Sequence, residues 1–421
     1  MPESPAAAEP DPSGMGFKQF VAFVAAVMAT NALAIDTMLP ALPVIGQALS
    51  IATENDRQWI VTAYLLGFGG AQIFYGSLAD RFGRRPVLLT ALVLYAGFSA
   101  VAGFAGSLGV MVVARVLQGV GAAGTRVLAV SIIRDRYAGR QMARVMSLTL
   151  IVFLAAPIAA PSLGQLIMLV APWHAIFFAL AAFGAGMAIW GALRLRETLH
   201  EEDRLPIATG RILGAFRIAL TQRKAVGYML AMTVMLGGLF GYINSVQQVF
   251  ADIFHAAPLF PALFGLSAVF MAAASLINSR IVGRLGMHRV SHIALLGYVV
   301  VGGAHALLAW TGHENIWTFT ICQSLMMFCF GLVVSNFGAL AMEPLGHIAG
   351  TASSVQGFVT TVGGATLGFI IGQQFDGTAI PMTLGFFGLG AIALGIVAVT
   401  ERGRLFRSAP AEGSPAVATA S

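Results

Sequence analysis

Three charged residues stand inside apolar stretches, where charge is costly: Asp36, Arg115 and Arg126. Within a membrane span such a side chain costs about 2.5–3.5 kcal/mol on insertion scales, so each marks a functional candidate. A carboxylate there can carry a proton. Burial favours its neutral form and a nearby guanidinium its ionised form, so a group balanced between them loads and releases protons as water access changes sides. The competing role for Asp36 is structural, capping the end of its span near Pro40. Arg115 suits stabilising the ionised carboxylate, or a pairing with backbone carbonyls. Arg126 suits attracting an anionic substrate, or reaching to the interface along its apolar stem.

The elements that must position these residues are membrane-spanning helices. Of 421 residues 57% are hydrophobic and only 10% charged, against about 45–50% and about 25% in soluble domains. Mean hydropathy is +0.82. So few charges cannot cover a water-soluble surface, which excludes a cytosolic enzyme or a nucleic-acid-binding domain. About 20 helical residues cross the hydrocarbon, and twelve stretches qualify: 17–39, 58–78, 87–105, 109–133, 145–170, 173–193, 225–250, 259–279, 290–311, 316–342, 351–372 and 380–400. The expected fold class is an all-α membrane protein. Cys322 and Cys329 lie seven residues apart in one span, about 10 Å along a helix, too far for a disulfide.

Basic residues are retained on the cytoplasmic side. With the N-terminus inside, 21 of the 24 Lys and Arg residues fall in cytoplasmic segments, leaving Arg57 outside and Arg115 and Arg126 within a span. The net charge of +6 therefore reports topology and calls for no nucleic acid. Both termini are expected in the cytoplasm. The tails, 1–14 and 408–421, are rich in Pro, Ala, Ser and Gly and expected to be disordered. The acidic leading segment and long first apolar run argue against a cleaved signal peptide.

Depth arithmetic at 1.5 Å per residue puts Asp36 about 5 Å from the outer end of span one and Arg115 about 9 Å below the outer face in span four. Arg126 lies eleven residues beyond Arg115, a turn within about 20° of the same helical face. Asn31, Tyr64, Gln118, Tyr242, Asn244, Gln247, Gln323 and Asn336 suit either a central cavity or interhelical hydrogen bonds. His305 reads as a packed residue. Gly364, Gly368 and Gly372, four apart, read as a close-packing stripe.

The chain divides as an N-terminal half at 15–193, a cytoplasmic linker at 194–224, a C-terminal half at 225–400 and a tail at 401–421. GSLADRFGRRPV (76–87) and SRIVGRLGMHRV (279–290) overlay with Arg81 on Arg284, Gly83 on Gly286 and Val87 on Val290. Both follow the second span of their half, which indicates a parallel duplication of the kind found in secondary transporters.

The segment from Gly76 to Arg85, with Asp80, Arg81, Gly83 and Arg84, resembles the signature loop of the major facilitator superfamily. RVLQGVGAAG (115–124) and IDTMLPALPVIGQAL (35–49) resemble segments of its proton-coupled drug exporters. APIAAPSLGQ (156–165) and AGTASSVQGF (349–358) are similar to the Bcr/CflA-type, bicyclomycin-resistance-like subgroup. The resemblance spans about 17–400. One difference is that the G-P-x-x-G-G of span five keeps Pro161 and Gly164 but has Ala160 and Gln165; Pro157, Pro161 and Gly164 are taken as helix-packing positions.

The resemblance implies a major facilitator fold, twelve helices in two pseudo-symmetric six-helix halves, working by alternating access. It implies export of apolar or cationic drug-like molecules across a bacterial inner membrane in exchange for protons, with a proton-coupled transporter of one metabolite as the alternative. Asp36, Arg115, Arg126, Gln118, Asn31, Tyr64, Asn244 and Gln247 would form the coupling and substrate region. The 76–85 loop would form a gate, its Asp80 facing the start of span eleven, where Gly350-Thr351 reads as an N-cap beside Ser353. A small-molecule substrate, protons and membrane lipid are the expected partners of a monomer. No phosphate loop, metal-ligand cluster or nucleophile–base set appears, so no cofactor, metal or enzyme activity is expected.

Overall fold

The computed structural model describes residues 14–206 and 209–406; the expected disordered tails fall outside these, apart from Gly14. Among the described residues there are fourteen α-helices and no strand. The N-terminal half comprises α1 (Phe17–Asp36), α2 (Leu42–Ala48), α3 (Trp59–Phe82), α4 (Arg84–Gly103), α5 (Leu108–Arg136), α6 (Gly139–Val170) and α7 (His174–Arg194). After α8 (Thr209–Thr221) come α9 (Arg223–Gln248), α10 (Phe260–Leu285), α11 (Met287–Trp310), α12 (Ile316–Met342), α13 (Ala349–Gly372) and α14 (Ile380–Thr400). Omitting the short α2 and α8 leaves the twelve expected spans, six in each half.

Among the described residues eleven segments are long and apolar enough to cross a membrane. The remaining span is α3, whose 24 residues are diluted by Gly67, Gly69, Gly70, Gln72 and Gly76. Its small and polar residues serve helix contacts instead. The Gly67 Cα packs on the Val116 backbone, and Gln72 Nε2 donates to Thr361 Oγ1 at 3.3 Å.

Helix ends follow local chemistry. Asn315 opens α12 with a capping box, accepting from Thr318 N at 3.1 Å while Thr318 Oγ1 accepts from Asn315 N at 2.9 Å. Gly83 and Gly286 have φ of +99° and +80°, a region that favours glycine, and each separates the second span of its half from the third. The repeat continues beyond the sequence overlay. Tyr95 and Tyr298 each stand twelve residues after those glycines, and each ring packs on a glycine of its half's last span, Gly184 or Gly390.

The halves meet along two seams. Down one, α3 runs beside α13: Gln58 meets Gly372 at one end, Gly69 meets Thr361 mid-way, and Gly76 faces Ser354 at the other. Down the second, α6 approaches α10 where Gly265 backs onto the Ile158 carbonyl. The ends of the bundle differ. One carries the starts of α1 and α4 with Lys18, Arg84 and Arg85, and is here termed the basic face; the other, where α1 and α13 end, is the opposite face. Pro157 and Pro161 lie inside α6 without interrupting it, and Gly164 packs directly on the Thr37 carbonyl, fixing α6 against the end of α1. Gly364 and Gly368 seat α13 on the α9 backbone at Leu236–Gly237 and Phe240–Gly241. The linker is more than a loop: α8 packs on α9 and α13, with Phe216 edge-on to Phe358 at 6.1 Å.

Candidate functional site: a polar layer beneath a sealed end

Asp36 is the last residue of α1, and the turn at Leu39–Ala41, containing Pro40, stops the helix just beyond it. The residue is 4% exposed. Among the described residues its carboxylate takes no hydrogen bond and no ion pair, an arrangement compatible with a neutral acid. Arg115 lies at similar depth, as the spacing indicates, but the two do not pair. The Arg115 guanidinium, fully buried, is spent elsewhere. Its Nε donates to Ile60 O at 3.0 Å, Nη2 to Ala34 O at 3.1 Å and Nη1 to Gln118 Oε1 at 2.6 Å. It also lies over the Tyr64 ring, 4.5 Å from the centroid. The Ala34 carbonyl, in the last turn of α1, and the aromatic face both stabilise a cation. Arg115 is therefore a clamp tying α5 to α1 and α3, the pairing with backbone carbonyls that was one of its two expected roles, and in this structure it makes no contact with Asp36.

The clamp is itself held. Gln118 Nε2 donates to Ser99 Oγ at 2.7 Å, and Tyr64 OH donates to Asn31 Oδ1 at 2.9 Å. Deeper in α5, Thr125 Oγ1 lies 3.0 Å from Thr30 Oγ1 of α1. Arg126 follows. It is exposed, and among the described residues it makes no hydrogen bond or ion pair.

In the other half, Asn244 Nδ2 crosses the interface to Thr62 Oγ1 at 3.2 Å and Gln247 is buried nearby. Tyr242 OH donates to Ser267 Oγ at 3.3 Å, and Asn336 Nδ2 to Asn278 Oδ1 at 2.8 Å, both within that half. Gln323 is fully buried and neither amide atom has a partner. It occupies the eighth position of α12, as Arg115 does of α5. His305 is packed, its Nε2 2.8 Å from Glu314 Oε1.

The opposite face is sealed by carboxamides that sequence reasoning did not single out. Gln58 Nε2 donates to Gln248 Oε1 at 2.8 Å and to Gly372 O at 2.9 Å, and Gln373 Nε2 donates to Gln58 Oε1 at 3.3 Å. Asn55 Nδ2 donates to Phe375 O at 2.9 Å and its Oδ1 accepts from Gln248 Nε2 at 3.1 Å. Their clue is position: all lie at the opposite-face ends of α3, α9 and α13.

At the basic face Asp80 does not bond across the halves. Its Oδ1 accepts from Arg84 Nη1 at 2.6 Å, and Arg84 Nε also reaches Asp135 at 3.0 Å. Asp80 still lines a small cleft with Gly350, Thr351 and Ser354, so it faces the start of α13 without contact. That helix begins at Ala349, after a turn at Glu343–Ile348, so Thr351 is already inside it and Gly350-Thr351 is no cap; the Ser353 hydroxyl bonds back to Gly350 O. Arg81 is exposed, and Arg85 Nη2 donates to Ala192 O at 2.7 Å. Glu197 is a further residue that sequence reasoning missed. Its carboxylate accepts from Arg84 N at 2.8 Å and Arg85 N at 3.2 Å, capping α4, and it occupies the space a side chain on Gly83 would need.

The major facilitator superfamily profile matches residues 24–368. The chain belongs to that superfamily. It is 33% identical over 374 residues to the uncharacterized MFS-type transporter YdgK of Bacillus subtilis, covering 85% of this chain and 92% of that one. It is 30% identical over 359 residues to a bicyclomycin resistance protein homolog of Haemophilus influenzae, covering 85% and 89%. Among solved structures it is similar to the xylose transporter XylE of E. coli in a partially occluded inward open conformation, with TM-score 0.68 and 12% identity over 90% of this chain and 96% of that one. That likeness concerns the fold. This facilitator is thus an integral membrane transporter of the superfamily, not an enzyme.

Proposed function

We propose that this facilitator exports drug-like small molecules in exchange for protons, by alternating access, as a monomer in a bacterial inner membrane with its basic face in the cytoplasm. The observation that carries the reading is the placement of Asp36. It is the one acid set within the spans among the described residues, buried without a partner beneath the sealed face, while Arg126, deeper towards the basic face, is exposed. Reversal of access would expose Asp36 to the other side, which lets it exchange protons there. The similarity to a bicyclomycin resistance homolog supports a drug-like substrate, and the many Met and Phe residues, 18 and 29, suit an apolar pocket. One proton crossing 100 mV supplies about 2.3 kcal/mol, roughly a fifty-fold gradient of a neutral substrate. Expression in a hypersusceptible host is expected to raise tolerance to several unrelated toxins. Unchanged tolerance to every toxin, with altered growth on a single nutrient, would instead favour a transporter of one metabolite.

A further inference from the structure

The resemblance implies apolar or cationic substrates, yet the exposed and unpaired charge within a span is positive, that of Arg126. Arg126 follows Thr125, whose hydroxyl meets Thr30 of α1, so α1 and α5 are in contact immediately beside it. The guanidinium offers five donors, and the structure assigns it no acceptor among the described residues. Asn31, next to Thr30, spends its Oδ1 on the Tyr64 hydroxyl and leaves its amide nitrogen without a partner among the described residues. The nearest span acid, Asp36, lies six residues beyond Thr30, about 9 Å further along α1, and is buried. The Arg115 charge is already taken up by carbonyls and the Tyr64 ring. Among the described residues Arg126 therefore has no compensating anion, and Asn31 carries a spare donor one residue from the α1–α5 contact. An unpaired guanidinium inside a low-dielectric bundle is costly, and a carboxylate, sulfonate or phosphonate, presenting two oxygens to its fork, relieves that cost with two parallel hydrogen bonds.

We propose that Arg126 makes the central cavity a binding site for substrates bearing an anionic group, with Asn31 as a second donor. The proposal deepens the export reading and rests on it for the direction of transport, but not for the preference of charge.

Two measurements test it. Val130 is exposed and stands one turn from Arg126 on the same side of α5. In a Val130→Cys protein with Cys322 and Cys329 changed to Ser, the sulfonate-bearing methanethiosulfonate reagent is expected to react about ten-fold faster than the trimethylammonium reagent, relative to their rates with a free thiol. Arg126→Gln should bring the ratio to that of the free thiol, and Arg126→Lys should keep it. Equal rates, a preference for the cationic reagent, no reaction, or a ratio indifferent to Arg126→Gln would overturn the proposal. In everted vesicles, fluorescein should accumulate about ten-fold faster than the cationic xanthene rhodamine 123, and Arg126→Gln should abolish the difference. Faster accumulation of rhodamine 123 overturns the proposal. Transport of neither dye, with the thiol ratio as expected, contradicts drug export while supporting the anionic site.

Discussion

Gln58→Ala is expected to open the opposite face. The side chain makes three hydrogen bonds across the halves: two donated, to Gln248 Oε1 and Gly372 O, and one accepted from Gln373 Nε2. Each contributes about 0.5–1.5 kcal/mol net of water. Gln248 and Gln373 keep their bonds to Asn55, so part of the seal survives, and the closed state should lose about 1–3 kcal/mol, or about 5–150-fold in the equilibrium between faces. A conformer at about 1% would then rise to between about 5% and 60%. Spin labels on Ala52→Cys and Gln374→Cys, both exposed and on opposite halves of the sealed end, report this directly. With the two native cysteines replaced by Ser, a second and longer distance should appear in the double electron–electron resonance distribution of Gln58→Ala. A distribution unchanged by the substitution, in a protein of normal melting temperature, would refute the seal.

Other outcomes follow from packing and polar satisfaction. Gly368→Leu drives a side chain into the α9 backbone at Phe240–Gly241 and should cost about 1–3 kcal/mol, visible as a lowered Tm in detergent, whereas Gly395→Leu, at an open position, should leave Tm unchanged. Gln118→Leu leaves the buried Arg115 Nη1 without its acceptor and Ser99 with only its bond to Tyr95 O, and should destabilise by about 1–3 kcal/mol. Gln323→Leu, removing an amide with no partner, should be neutral or stabilising in the same thermal assay. Glu197→Ala uncaps α4 and should cost about 1–2 kcal/mol, with faster amide exchange at Arg84 and Arg85 as the specific readout.

The fold is legible because hydrocarbon imposes it. Runs of about 20 apolar residues must be helices, and Gly83 and Gly286 mark the repeat because both take a conformation that suits glycine. Depth was equally readable: Asp36 and Arg115 do lie level. Their lack of contact was not, since spacing fixes height along a helix but not which neighbour a long side chain meets. Arg115 turns to Ala34 and Ile60 carbonyls that belong to other helices. Glu197 looked like one more acid in a charged linker because its partners, the amides of Arg84 and Arg85, are more than a hundred residues away. The seal was hidden for the same reason: Asn55, Gln58, Gln248 and Gln373 read separately as polar helix ends and become one network only when α3, α9 and α13 converge. The helix α8 went unread because its apolar face is short and finds its support only against α9 and α13.

The most direct test of proton-coupled export is made with purified protein in proteoliposomes carrying an internal pH dye. A pH gradient should drive substrate accumulation, and substrate added against its gradient should move protons the opposite way. Asp36→Asn, inserted and folded as judged by Tm, should do neither. Proton movement by Asp36→Asn equal to that of the unaltered protein would contradict a role for this carboxylate as the proton carrier.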